Sequence, residues 1–362
     1  MRRTAPLILG GGPAGAAAAL RLAAAGERPV VLERSREPVD SLCGGFVSWR
    51  TLDKLKRIGI DTTRLGSSDI HRVRLFHRAS QVEAALPRPA KAVSRRLFDT
   101  VLLGAAEQAG AGVERGVTVR SIAKRRLHLA DGGVLCPDTL FLASGKHDVR
   151  GTSRPADARG TDPTIGLRTR FGPAPGLARL IGDAIELHLF DRGYAGLVLQ
   201  EDGSANLCLA VRRSRLTAAG TPQALFNDIA DECPALAERM AWRDSSSPQD
   251  AVANVPYGWR CGETGPGLFR LGDQAGVIPS LAGEGIGIAI ASGIAASDAW
   301  RHGGADAAAG YQRAFSRALA LPMGIAGLLW RMGENRRAAP VLLAAAALPG
   351  ALASAGRLTR IK

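Results

Sequence analysis

The chain has 362 residues, 46% of them hydrophobic, and a formal net charge of +14 carried almost wholly by arginine. That length allows one large domain or two intertwined ones with no shortage of core, and the basic excess reads as a solvated surface, the alternatives being an anionic substrate or carrier or an acidic membrane. No basic run interleaved with aromatics and no finger or helix-turn-helix pattern is present, which excludes a nucleic-acid reader, and five scattered cysteines without a C-x-x-C pair argue against a disulfide framework or a zinc site and for a reducing compartment.

The first element is an apolar strand, Pro6 to Leu9, that runs into Gly10-Gly11-Gly12-Pro13-Ala14-Gly15 and an alanine-rich helix from Ala14 to Ala25, stopped by Gly26. Gly10, Gly12 and Gly15 have the G-x-G-x-x-G spacing: a tight turn, close backbone approach to a pyrophosphate, and close helix-on-strand packing. The helix start adds free N–H groups and a positive dipole end. A second strand, Pro29 to Leu32, ends in Glu33, 18 residues past Gly15, near the distance expected for the acid that binds a ribose. Arg2-Arg3 is not read as an export signal, because cleavage there would remove the strand and loop, and a cytoplasmic chain is expected.

A glycine-bearing loop at Cys43-Gly44-Gly45-Phe46 precedes a helix over Trp49 to Arg57. Residues 69–86 alternate as strands, and Arg95 opens a helix that ends near Gly110. Strands are expected at Gly116–Ile122, Arg126–Leu129 and Val134–Ala143, with a hairpin turn at Asp131-Gly132-Gly133. Residues 151–165 read as a linker. Four strands follow at Ile165–Phe171, Ala184–Phe190, Tyr194–Gln200 and Ala205–Arg212, then one helix from Pro222 to Met240. Residues 262–300 return to strand, turn and helix. Residues 310–362 are expected to be helical, with breaks at Pro322, Pro340 and Pro349-Gly350.

The second constellation lies near residue 273. The strand Leu268–Leu271 ends in Gly272-Asp273, and Pro279 and Gly283-Glu284-Gly285-Ile286-Gly287 lead into a long apolar helix. A carboxylate at a strand end can accept hydrogen bonds from a ribityl hydroxyl, and the N–H groups of a helix start can face a flavin ring that gains negative charge on reduction. Paired with the N-terminal fingerprint, this points to FAD. Glu284 itself reads as a first-turn acid favoured by the helix dipole.

Over most of residues 5–300 the chain resembles the FAD-dependent superfamily that contains para-hydroxybenzoate hydroxylase, flavin-dependent halogenases and geranylgeranyl reductases. Three blocks carry the likeness: Gly10–Gly15 with Glu33, Val93–Asp99, and Gly272-Asp273 with Gly283–Gly287. The resemblance implies an α/β fold: a Rossmann-like, discontinuous FAD-binding domain (1–70, 92–155 and 262–310), an inserted β-rich substrate domain (71–91 and 156–261), and a helical C-terminal segment (311–362). It implies that Gly10, Gly12, Pro13, Ala14 and Gly15 face the pyrophosphate, Glu33 and Arg34 the ribose, Arg95 the phosphates or ribityl, Val119 the adenine, and Asp273 the ribityl region. Cys43, Gly44, Gly145, Gly283, Gly285 and Ile286 would complete the cofactor site.

The departures narrow the chemistry. Where hydroxylases of this superfamily carry Asp-Gly with a downstream Ser and Arg, this chain reads Ala143-Ser144-Gly145-Lys146-His147-Asp148-Val149-Arg150, which removes that motif's aspartate. The halogenase Trp-x-Trp-x-Ile-Pro element has no counterpart in Gly193–Leu199. Cys43-Gly44-Gly45 and Gly193-Tyr194 resemble geranylgeranyl reductases, without the Trp and Phe-Pro that normally follow the tyrosine. Substrate candidates are His147, Tyr194, Pro279 and Tyr257, with Trp259 beside the last. Each has an alternative: a solvent turn for His147, plain packing for the tyrosines and Trp259, and a small core residue for Cys43.

Residues 338–356 contain no charge and are flanked by Arg336, Arg337, Arg357 and Arg360. The length approaches a membrane span of about 20 residues, but Pro340, Pro349, Gly350 and the alanines argue against one. The reading is a helical cap over the substrate pocket, with peripheral membrane docking as the alternative. The expected function is an FAD-dependent oxidoreductase, reduced by external NAD(P)H, acting on an apolar or aromatic small molecule. Hydroxylation of an aromatic or polyketide-like substrate by activated oxygen is the first expectation. Saturation of a carbon–carbon double bond in an isoprenoid or lipid is the second, and a non-catalytic flavin-binding protein the third.

Overall fold

The computed structural model describes residues 4–243 and 249–361. Arg2, Arg3 and Lys362 therefore lie outside the described residues, as does the stretch 244–248. Three sheets organise the rest. The first is a five-stranded, all-parallel sheet with the order Leu268–Arg270, Leu140–Leu142, Leu7–Leu9, Val30–Glu33, Gly112–Arg115. Its strands are short and largely apolar because helices cover the sheet. Helix Pro13–Ala23 packs between Arg95–Gln108 and the long helix Gly285–Gly303. The last contact is close: a Cβ at Gly293 would stand 2.5 Å from the Ala14 carbonyl oxygen, so only glycine lets the two helices meet.

The second sheet has eight strands in the order Gln249–Val255, Thr164–Phe171, Ala205–Arg212, Gly193–Leu199, Ala184–Phe190, Asp69–His77, Ser80–Ala92, Phe46–Val47. Its pairings are antiparallel except between Ala184–Phe190 and Asp69–His77, which run parallel. One face packs Phe171, Leu197, Leu207 and Leu209 against Leu177, Leu225, Phe226 and Leu236 of three short helices. The other face packs Leu75, Tyr194 and Ala210 against Trp330, Ala339 and Leu343 of the C-terminal helices. A small sheet of Val119–Ala123, Arg126–Leu129 and Val134–Leu135 flanks the first.

The structure departs from the sequence expectation at several points. The strand expected over Val134–Ala143 is two, in different sheets, because Leu140–Leu142 peels away to pair with Leu7–Leu9. Strands Gly112–Arg115 and Gln249–Val255 and helices Pro175–Ile181 and Arg213–Ala219 are additional. The helix expected from Pro222 to Met240 is two, Pro222–Glu232 and Pro234–Met240, since Pro234 forces Cys233 out of helical geometry (φ −126°, ψ 84°). Pro322, expected to break the tail, does not: helix Ala307–Gly333 runs through it. The carbonyl deprived of an N–H partner belongs to Ala318, which is exposed and can bond water. The other two expected breaks are present: residues 334–338, with Pro340 in the first turn of helix Ala339–Ala346, and residues 347–350, between that helix and Ala351–Leu358.

Candidate functional site

The phosphate loop sits at the C-terminal end of strand Leu7–Leu9, as the apolar strand and glycine turn require. Gly10 has φ +107°, and a Cβ there would meet the Ala143 carbonyl oxygen at 2.4 Å. A Cβ at Gly15 would lie 1.9 Å from the Gly10 carbonyl oxygen. Helix Pro13–Ala23 starts without a side-chain cap or an acid in its first turn, so its leading N–H groups are free for a ligand. The Glu33 carboxylate is aimed by two backbone donors, with Gly11 N–H on Oε2 and Ser35 N–H on Oε1, both 2.8 Å. Arg95 places a guanidinium nitrogen beside Gly12, 3.3 Å from where a Cβ would be, and is gripped by Asp99 at 2.7 and 2.9 Å. Burial disfavours its charge, but Asp99 outweighs that and holds the guanidinium firmly cationic.

Arg34 is exposed and lies 3.4 Å from His147 Nε2. Val119 pairs with Leu129 in the small sheet, and it is the N–H of Val117 that donates to the Glu33 carbonyl. Pro279 is buried just before a short turn of helix over Ser280–Ala282.

A cavity of about 390 Å³ opens between the two large sheets and the tail. Cys43, Gly44, Tyr194, Tyr257, Asp273, Gly283, Gly285 and Ile286 line it; the phosphate-loop residues, His147, Pro279 and Trp259 do not. Cβ atoms at Gly44 and Gly285, both on its wall, and at Gly145, next to Lys146, would meet nothing within 4 Å. The long helix also begins without a side-chain cap. The loop at Cys43 is clamped by the eight-stranded sheet: Asn206 Nδ2 donates to the Cys43 carbonyl at 2.9 Å, and Arg168 holds Asp40 at 3.0 Å. Cys208, also on the wall, has its thiol pushed up to about 12 by burial.

Several site residues had no clear signal in the sequence. Lys146 enters the wall from the turn after strand Leu140–Leu142, its Nζ 3.2 Å from Asp273 Oδ2, and the aspartate raises its pKa. That turn is braced from below: buried Arg154 donates to the Asp273 carbonyl at 3.1 Å and grips Asp148 at 2.9 Å, while Gln274 donates to the Gly145 carbonyl at 2.9 Å. Ser280 accepts or donates to the hydroxyls of both Tyr194 and Tyr257, forming a chain of three hydroxyls on the wall. Burial pushes both phenols up, so they stay protonated. The sequence cue was faint, since serine in a Pro-Ser-Leu turn is ordinary.

Glu284 is more than a first-turn acid. It is fully buried, its Oε2 3.1 Å from Arg360 Nε and its Oε1 accepting from Ile361 N–H at 3.3 Å. Lys54 donates to the Ile361 carbonyl at 2.8 Å, and the Arg360 guanidinium lies over Trp49. The C-terminus is thus fastened to the glycine loop of the long helix. Beyond that clamp, Leu342, Ala346, Leu352 and Gly356 of the tail line the same cavity, which is therefore continuous from the Cys43 and Asp273 end to the tail.

A family model described as an FAD binding domain matches residues 3–128. Digeranylgeranylglycerophospholipid reductase 2 of Methanopyrus kandleri is 26% identical over 79% of this chain and 74% of its own length. Menaquinone reductase of Mycolicibacterium smegmatis is 26% identical over 82% of this chain and 76% of its own. Among solved structures, a geranylgeranyl bacteriochlorophyll reductase-like protein of Thermoplasma acidophilum superposes with a TM-score of 0.76 at 18% identity, covering 97% of this chain and 95% of that one. PqsL of P. aeruginosa, in complex with 2-aminobenzoylacetate, superposes with a TM-score of 0.75 at 18% identity, covering 94% and 99%. The α/β fold expected from the sequence is the fold these structures share.

Proposed function

Since the chain is an FAD-dependent oxidoreductase of the superfamily described above, we propose that it saturates a carbon–carbon double bond in the isoprenoid chain of a lipid. The observation that carries this reading is the cavity: one continuous apolar space from Cys43 and Asp273 to the tail helices, with a single chain of hydroxyls, Tyr194, Ser280 and Tyr257, in its wall. A space walled mainly by aliphatic and aromatic side chains suits a prenyl chain better than a polar ring. Two relatives named as reductases of a digeranylgeranyl phospholipid and of menaquinone support it.

The residues present fit FAD. The uncapped helix start at Gly12–Gly15 would take the pyrophosphate, Glu33 the ribose, Arg95 the phosphates, and Asp273 with Lys146 the ribityl side. Gly44, Gly145 and Gly285 leave the space that a flat ring needs. Bound and reduced by an external nicotinamide, the flavin supplies the hydride equivalent. Saturation also consumes one proton at the neighbouring carbon. Tyr257 or Tyr194 can donate it, and Ser280 links the two phenols so that either can be replenished from the other. The apolar walls orient the chain and exclude water.

The test is anaerobic turnover. The FAD-loaded protein, reduced chemically without oxygen, is incubated with a geranylgeranyl lipid or menaquinone, and the product is read by mass. A gain of two hydrogens under anaerobic conditions is the expected result. Product formed only with oxygen, carrying one added oxygen atom, would establish hydroxylation instead. A protein that purifies without flavin and cannot be reconstituted would overturn the oxidoreductase reading altogether.

A further inference from the structure

Helices Ala339–Ala346 and Ala351–Leu358 are apolar on both sides. Inward they line the cavity. Outward, Val341, Leu348 and Leu358 are 60%, 64% and 48% exposed, with Leu348 at the bend where the two helices turn by 106°. Holding such side chains in water is unfavourable unless something covers them. The charge around them is one-sided. Residues 338–356 carry none, and exposed Arg336, Arg337 and Arg357 flank them. From 307 to 362 the only acid is Glu334, and Arg212 holds it at 2.6 Å. An apolar centre with a cationic rim and no unpaired carboxylate of its own complements a bilayer with anionic headgroups. Among the described residues no single helix is long and apolar enough to cross a membrane. Each tail helix has eight residues, about 12 Å at the α-helical rise, against a hydrocarbon core of about 30 Å. The pair is suited to lie in the interface.

We infer that the outer face of this helix pair docks on an anionic membrane surface, and that lipid chains pass between the two helices into the cavity behind them. The docking stands on the exposed face alone; the passage of substrate rests on the reductase reading above.

Co-sedimentation of the FAD-loaded full chain with vesicles tests it. At low salt, binding to phosphatidylcholine vesicles containing phosphatidylglycerol should exceed binding to pure phosphatidylcholine by about tenfold or more, and should fall as salt rises. Leu348→Glu should weaken it by about tenfold, and Arg336→Gln with Arg337→Gln by about fivefold for each arginine. Leu348→Ser, with retained flavin absorbance and thermal midpoint, guards against a folding artefact. Absence of vesicle binding, equal binding to both vesicle types, or unchanged binding by Leu348→Glu would overturn the inference. So would a concentration-dependent dimer in solution that Leu348→Glu dissolves, since a second copy would then be the occupant. Turnover separates the two readings: with a short water-soluble prenyl substrate Leu348→Glu should match the parent chain, and with vesicle-borne lipid it should not. If no prenyl substrate is reduced while anionic vesicles still bind, the reductase reading fails and the docking stands.

Discussion

The two ends of the site are built from different materials. The phosphate end is backbone: glycines at 10, 12 and 15, an uncapped helix start, and one carboxylate aimed by two amides. Its geometry is local, and an added methyl at Gly10 or Gly15 strikes a carbonyl. The cavity end is side chain. Its walls come from a loop near residue 43, the middle of the eight-stranded sheet, the turn at Lys146 and the tail, and its polar points are few, among them the pair Lys146 and Asp273 and the hydroxyls of Tyr194, Tyr257 and Ser280. The first end tolerates almost no change in the residues that shape it. The second depends on how well separate pieces are held together, and the buried ion pair of Glu284 with Arg360 is one such tie.

That contrast can be broken first at the tie. Arg360→Ala leaves Glu284, with none of its surface exposed, without its cation, and should cost about 3–5 kcal/mol of unfolding free energy. Arg360→Met with Glu284→Gln should cost much less, so denaturant titrations of the single and double variants measure the coupling. Equal losses in both would show that the tail is held by packing alone. At the phosphate end, Gly15→Val forces a clash with the Gly10 carbonyl and should cost about 3 kcal/mol. Flavin retention should fall with it, read by absorbance of the purified protein, and an intact yellow variant would break the backbone account of that end.

The hydroxyl chain sharpens the comparison inside the cavity. Ser280→Ala, which cuts the link between the two proton-donating phenols, should lower the turnover number by less than the roughly hundredfold lost with a general acid itself, while KM and the rate of flavin reduction stay near those of the parent. A change in KM alone would make Ser280 a packing residue.

The smallest effect concerns the far face of the eight-stranded sheet. There Glu186 is wholly buried and bonded to Arg74, Arg239 and His188, each at 3.1–3.2 Å, with His188 stacked on Phe76. Burial lowers the His188 pKa despite Glu186. For Glu186, burial pushes upward, but His188 and Arg239 prevail and hold the carboxyl below its usual range. In both cases the unfolded chain binds a proton more readily than the folded one, so stability is lost as pH falls. The thermal midpoint should begin to drop below about pH 6.5, and drop again below about pH 4.3. His188→Gln should shrink the first step, the remainder coming from His77 and His147, whose pKa values burial also lowers.

Legibility followed the same division. The glycine loop, Glu33 and the Gly272-Asp273 strand end were readable because each is a short run whose residue types are dictated by close backbone approach. Helix Trp49–Arg57 and strands Ala184–Phe190 and Ala205–Arg212 were readable to the residue, since apolar spacing there agrees with burial. Lys146 stood in a turn that looked like a departure from a motif; only the brace of Arg154 and Gln274 shows that the turn delivers its ammonium to Asp273. Glu284 looked like a dipole partner because Arg360 lies 76 residues away, beyond any local pattern. Strand Gln249–Val255, with alternate residues exposed at the sheet edge, offered too weak an apolar signal to be seen.

By itself the sequence determined the glycine turn between strand Leu7–Leu9 and helix Pro13–Ala23. A pyrophosphate needs glycine where a Cβ cannot fit, and that demand is written in consecutive positions. Tertiary structure alone decided what lies beyond that turn: that Tyr194, Tyr257 and Ser280 share one chain of hydroxyls, and that the tail forms a wall of the cavity with an apolar outer face. Those relations join residues from 23 to 307 apart in the chain, and burial and contact between such segments leave no periodicity for a linear reading to find.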